Sequence, residues 1–132
     1  MREAVTRHVS RVFKVNYDPK TECLITVGVS EALDLAIRAT VEPGDEVLYH
    51  APSYVSYPAV VTFAHAKPVV IDTGKHNDFR LTRAMIEKHL TPRSRVLVLN
   101  FPTNPTGAVL SRQDVEEIAA LFGARDEATE RL

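Results

Sequence analysis

The chain has 132 residues, 45% of them hydrophobic and 25% charged, with 16 basic side chains against 17 acidic ones. That size and mix suit one globular domain with a real core, and the near-neutral balance gives no electrostatic reason to expect nucleic acid or an anionic membrane as partner. A single cysteine, Cys23, excludes an internal disulfide; no run is long enough for a membrane helix, the first residues lack a signal-peptide pattern, and the expected location is cytoplasmic.

Residues 2–13 place Val5, Val9, Val12 and Phe13 at helical spacing, with Arg2, Arg7 and Arg11 elsewhere, which predicts a helix packed on its valine side. Asn16-Tyr17-Asp18-Pro19 predicts a turn. Leu24-Ile25-Thr26-Val27 reads as a first strand with a buried Cys23 ahead of it, and Gly28-Val29-Ser30 leads into a helix carrying Leu33, Ile37 and Val41. Pro43-Gly44-Asp45 closes that helix before a second strand over 46–50, and Ala51-Pro52-Ser53 opens a helix over 54–65. A third strand covers 68–72. A helix follows near 82–90, with Thr82 as N-cap and Met85, Ile86 and Leu90 inward.

The fourth strand, 95–100, contains Val96-Leu97-Val98-Leu99, an unbroken apolar run of the kind that is buried on both faces of a parallel sheet. The last helix starts at Ser111, with Asp114 three residues on as a capping box. It is expected to bury Val115, Ile118, Ala119 and Phe122 and to stop at Gly123, leaving 123–132 as a polar tail. Four strand–helix alternations predict an α/β fold: a mostly parallel sheet with flanking helices and right-handed crossovers.

In such a sheet the loops after successive strands share one rim, where open α/β folds hold their ligands. Gly28-Val29-Ser30 joins a glycine, which lets backbone approach closely, to the free N–H groups of a helix start and a serine hydroxyl. Those are the parts of an anion site, phosphate above all, or simply of an N-capped helix. Glu31 is an objection, since its carboxylate repels phosphate unless it points outward. Tyr54 follows Pro52-Ser53 and offers a ring either for stacking on a flat heterocycle or for packing on neighbouring helices, while Tyr57 reads as a packing residue. Asn104, held between Pro102 and Pro105, offers a preorganised amide or, taken alone, a turn with an Asx cap. An anion pocket, an aromatic plate and an amide together describe a site for a planar phosphorylated ring.

Thr26-Val27-Gly28-Val29-Ser30-Glu31-Ala32-Leu33, Pro43-Gly44-Asp45-Glu46-Val47, Pro52-Ser53-Tyr54 and Asn104-Pro105-Thr106-Gly107 occur in an order and spacing that resembles the class I/II aminotransferases, pyridoxal-phosphate enzymes of fold type I. The likeness runs over about residues 2–122 and implies that 1–122 form part of the large cofactor-binding domain. It implies further that Gly28, Val29 and Ser30 grip the phosphate of pyridoxal 5'-phosphate, that Tyr54 stacks on its ring, and that Asn104 bonds the ring's phenolic oxygen and helps to place the substrate carboxylate. The Ala51-Pro52 and Asn104-Pro105 bonds are expected to be cis. Amino-group transfer between an amino acid and a 2-oxo acid is the implied chemistry, with the cofactor as electron sink.

The sequence departs from the family pattern at the lysine that holds the cofactor. The family places it beyond Asn-Pro-Thr-Gly, whereas Lys14, Lys20, Lys67, Lys75 and Lys88 all precede Asn104. No catalytic residue is therefore assigned, and the stretch is expected to be a fragment that is inactive alone. Asp126-Glu127 lies too close to Asn104 to take the role of the aspartate that pairs with the pyridine nitrogen. Family strands missing from this stretch would sit between the first strand and the other three, so a homo-oligomer that covers open edges is expected. The alternative is a non-catalytic α/β module for association or for phosphate ligands, without a Gly-x-Gly-x-x-Gly pattern to support nucleotide binding. His8, His50, His65, His76 and His89 show no ligand spacing, and no metal site is expected.

Overall fold

The computed structural model describes residues 1–129, the side chains of His76 and of residues 123–129 excepted. The chain divides into two compact units, the first Met1–Leu33 and the second from Asp34 onward.

In the first unit, α1 (Arg2–Phe13) ends at Lys14, whose left-handed backbone (φ 60°) lets its N–H reach the Ser10 carbonyl. Asp18 shapes the following turn, accepting from the Lys20 N–H at 2.8 Å and the Thr21 hydroxyl at 2.9 Å. Two expectations fail here. The valine side of α1 is not buried: Thr6 is its one buried residue, and Phe13 is 67% exposed. Residues 24–27 form no strand, and Leu24 and Val27 stand 72% and 89% exposed. The physical reason is common to both. Spacing and β-branched composition encode a face or an extended preference, but a face needs something to pack on and a strand needs a ladder partner. Among the described residues, no strand pairs with 24–27. Cys23 is half-buried rather than buried.

α2 (Gly28–Thr40) starts in the first unit and ends in the second, where Ile37 and Val41 face the core. The second unit is built on β1 (Glu46–Ala51), β2 (Lys67–Asp72) and β3 (Ser94–Val98), all parallel, in the order β2-β1-β3. Central β1 pairs along its full length with β2 and shifts register against β3 between Glu46 and Val47. β1 is buried on both faces, as a parallel central strand should be. On one face Val47 packs with Ile37, Val61 and Ala64, the latter two on or just after α3 (Ser56–Phe63). On the other, Leu48 and Ile71 pack with Ile86 of α4 (Arg83–Glu87) and with Ile118 and Leu121 of α5 (Arg112–Thr129). Each such burial contributes about 1.5–3 kcal/mol. The result is the expected α/β architecture, helices on both faces of a parallel sheet.

The caps work as read. The Thr82 hydroxyl accepts from the Met85 N–H at 3.4 Å. At α5 the Ser111 hydroxyl accepts from the Asp114 N–H, and Asp114 accepts in return from the Ser111 N–H at 2.9 Å. α5 differs in two respects. It runs on through Gly123 to Thr129, because a glycine stops a helix only where it takes the left-handed turn and otherwise costs about 1 kcal/mol. Among its described side chains Asp114, Ile118 and Leu121 are buried and Phe122 packs on the core, so Ile118 and Phe122 lie as expected, whereas Val115 and Ala119 are exposed. Asp114 turns inward instead of Val115, its carboxylate meeting Arg80 and the Ser111 cap. The Asp126-Glu127 side chains, and residues 130–132 of the tail, fall outside the described residues.

Candidate functional site

Gly28, Val29 and Ser30 belong to the first unit. Gly28 opens α2 with φ +76°, a conformation that favours glycine, and the space where a Cβ would stand is open. Val29 and Ser30 are exposed at the start of a 13-residue helix, its positive end. The Thr26 hydroxyl donates to the Gly28 carbonyl at 3.0 Å and steadies the approach to the helix. Glu31 does not point away: its carboxylate turns back and accepts from the Val27 N–H. One donor at the helix start is thus already supplied with an anion by the chain itself.

Tyr54 and Asn104 belong to the second unit and stand on the loops that leave the carboxyl ends of the neighbouring strands β1 and β3, hence at one rim of the sheet. Tyr54 is half-buried. Its ring meets Tyr57 edge-on at 5.9 Å, and Tyr57 meets Tyr49 edge-on at 6.0 Å. Tyr57 is only 4% exposed and is the packing residue the sequence suggested. Burial pushes the Tyr49 phenol up from its ordinary value.

The Asn104 loop is drawn tight by its backbone: the Gly107 N–H donates to the Thr103 carbonyl at 2.7 Å, and the Thr103 N–H to the Ala108 carbonyl at 2.9 Å. Gly107 takes φ +73° to close it. Ala51-Pro52 and Asn104-Pro105 are cis as expected, and Phe101-Pro102 is cis as well. Asn104 itself is exposed, and among the described residues none bonds its amide. Beside the loop, Leu99, Phe101, Pro102, Val109, Leu110 and Val115 line an apolar groove of about 320 Å³ that includes neither Tyr54 nor Asn104.

One residue of this rim escapes a sequence reading. His50, on β1, is 1% exposed, with neither ring nitrogen hydrogen-bonded, and its ring stacks on Phe101 at 4.6 Å and 23°. Burial holds its pKa below the ordinary 6.5, while the nearby backbone of Asn100 and Pro52 works weakly the other way. The available signal is its place two residues after Leu48, on the face of β1 that packs against α4 and α5. At the opposite end of β1, buried Glu46 accepts from the Thr91 hydroxyl at 2.6 Å and from Lys67 at 3.0 Å, bonds that keep its carboxyl below the usual range. That cluster ties strand starts together, on the edge away from the rim. Among the described residues no group of acidic, histidine or cysteine side chains could hold a metal ion.

The described donors fit pyridoxal 5'-phosphate in kind. An open helix start with a glycine suits a phosphate, a half-buried ring suits a flat heterocycle, and an unbonded amide suits a phenolic oxygen, Glu31 being the one group of the wrong sign.

The family model described as aminotransferase class I and II matches residues 1–126. A probable N-acetyl-LL-diaminopimelate aminotransferase of Bacillus subtilis is 41% identical over 126 residues, which is 96% of this chain and 32% of that protein. An aromatic-amino-acid aminotransferase of Thermococcus litoralis is 41% identical over 119 residues, 90% of this chain and 31% of that protein. Among solved structures, the aromatic aminotransferase of Pyrococcus horikoshii superposes with a TM-score of 0.89 at 38% identity, covering 95% of this chain and 34% of that one. The N-succinyldiaminopimelate aminotransferase of Mycobacterium tuberculosis does so with 0.87 at 42% identity, covering 95% and 33%. The chain thus spans about a third of the length of the relatives it matches.

Proposed function

The chain belongs to the class I and II aminotransferase family, and we propose that it carries the phosphate, ring and amide contacts of a pyridoxal 5'-phosphate site without the lysine that completes it. In this reading the α2 amides at Gly28, Val29 and Ser30 hold the phosphate, Tyr54 lies against the pyridine ring, and Asn104 donates to its phenolic oxygen. Bound there, the cofactor supplies an electron sink for moving an amino group between an amino acid and a 2-oxo acid. In these contacts the chain's own residues bind and orient. The observation that carries the reading is the rim itself. Two ligand-ready groups, a half-buried ring and an unbonded amide, stand on loops leaving adjacent parallel strands in a chain that matches the family along 1–126.

The remaining parts of the proposal follow from it. Residues 1–122 serve as part of the large domain and 123–132 as its polar end. The exposed residues 24–27 and the open sheet edges are covered by a second copy, so the chain is a homo-oligomer, and it works in the cytoplasm. Among the described residues no helix is long and apolar enough to cross a membrane.

Titration with pyridoxal 5'-phosphate tests the site. The expected result is a saturable near-ultraviolet change that dialysis reverses, that Asn104→Ala and Tyr54→Ala each weaken about tenfold, and that borohydride does not fix to one lysine. No saturable change would overturn the site, and reduction onto a single lysine would overturn the missing-lysine reading. Sedimentation at micromolar concentration tests the oligomer, which a monodisperse monomer would refute.

A further inference from the structure

His50 is the feature that neither the family motifs nor the proposed cofactor contacts absorb. It is the next-to-last residue of central β1, two positions before the loop that delivers Tyr54. Its ring lies flat against Phe101, which belongs to the loop that delivers Asn104, at 4.6 Å between ring centres. The ring is buried to 1% exposure, and its nitrogens meet only the backbone of Pro52 on the first loop and of Asn100 on the second, short of well-formed hydrogen bonds. A leucine would fill such a place without leaving two polar atoms poorly satisfied, so hydrophobic packing alone does not account for the histidine.

We propose that His50 is a positioning residue: its ring, stacked on Phe101 between the backbones of Pro52 and Asn100, sets the spacing of the two loops that present Tyr54 and Asn104. The proposal rests on reading those two residues as parts of one site. The loops need such a strut because β1 runs on to Ala51 against β2 alone, without β3 beside it. β3 stops at Val98, six residues before Asn104, and among the described residues no ladder bond ties the two loops beyond Tyr49 and Val98. A flat, rigid ring inserted across that gap converts strand spacing into loop spacing. Protonation would break the arrangement, since a charged ring stays buried with no anion beside it. Only backbone groups act on its charge, and among the described residues no acid or base does.

Backbone amide spectra of the ¹⁵N-labelled 132-residue chain test this, comparing His50→Ala, which removes the ring, with His50→Phe, which keeps a stacking ring. The expected result for His50→Ala is a set of shifts concentrated in residues 53–55 and 100–104, which His50→Phe largely restores. Pyridoxal 5'-phosphate affinity should fall about tenfold in His50→Ala and less than about threefold in His50→Phe. Shifts spread evenly over β1 and both cores, shifts confined to one loop, or a phenylalanine variant no better than alanine would each overturn the proposal. If neither variant folds, the native chain decides: the amides of both loops must move with the His50 ring resonance at one midpoint below 6.5, and independent or absent movement overturns it. A native chain that never binds the cofactor sinks the proposed site but leaves the loop-coupling spectra to judge His50.

Discussion

Replacing Asp114 with asparagine should remove one of the strongest polar contacts in the second unit. One carboxylate oxygen accepts from the Ser111 N–H at 2.9 Å and from its hydroxyl at 2.7 Å, and the other accepts from Arg80 Nε at 3.1 Å. The Arg80 guanidinium, with the Ser111 donors, holds the carboxyl down to about 2, against an ordinary 3.8. A depressed carboxyl stabilises the fold fully above its unfolded value and loses that contribution as pH falls through its folded one. The difference amounts to about 2 kcal/mol at neutral pH, an upper value because the Arg80 side chain is 55% exposed and salt screens it. Thermal melts of native and Asp114→Asn chains should therefore differ by about 6–8 °C at pH 7. Urea melts should show roughly half of the free-energy gap gone by pH 3. An unchanged melting point at pH 7, or a gap that stays constant down to pH 3, would refute the assignment of this stability to the Asp114 charge.

Gly107→Ala should cost about 1 kcal/mol, because the backbone sits at φ +73° while nothing crowds the missing Cβ, and Gly107→Asn should cost less since asparagine tolerates that region. Urea midpoints check both, and an alanine variant as stable as native would show that the turn is not fixed there. Glu31→Gln should raise affinity for pyridoxal 5'-phosphate about threefold by removing a carboxylate from the start of α2, where it accepts from the Val27 N–H. The same titration at two ionic strengths reads it, and weaker binding in the variant would place the phosphate elsewhere.

Much of the second unit was legible because its signals are local. The Ser111/Asp114 box, the Thr82 cap and the Pro43-Gly44 turn are short-range chemistry that no tertiary contact needs to complete. The segments 46–51 and 94–98 became strands because each found a parallel neighbour, and central β1 is buried on both faces. The run Val96-Leu97-Val98-Leu99 is not: among the described residues β3 has a neighbour on one side only, is at most half-buried, and leaves Leu99 43% exposed beyond its end. Residues 24–27 carry as good a strand signal, yet with no neighbour among the described residues they form no strand, and Leu24, Ile25 and Val27 stay exposed. The same holds for the valine side of α1. On α5 the misreading has a different origin: a buried carboxylate was worth more than a methyl-bearing face, so Asp114 turned inward and Val115 outward.

The site divides along the same line. Residue type and position after a strand were enough to single out Tyr54 and Asn104, since a ring and an amide on loops at a sheet rim need only the strands to be parallel and adjacent. His50 was invisible by that route. Its proposed role depends on Phe101, 51 positions away and on another strand's loop, which no spacing encodes. A histidine in an apolar strand looks like an interruption until the neighbouring strand is in place. Once β1 and β3 lie side by side, its ring meets Phe101 of the loop beyond the end of β3. The residues proposed to touch a ligand are thus readable from composition and order. The residue proposed to set the distance between them is readable only from the pairing of strands.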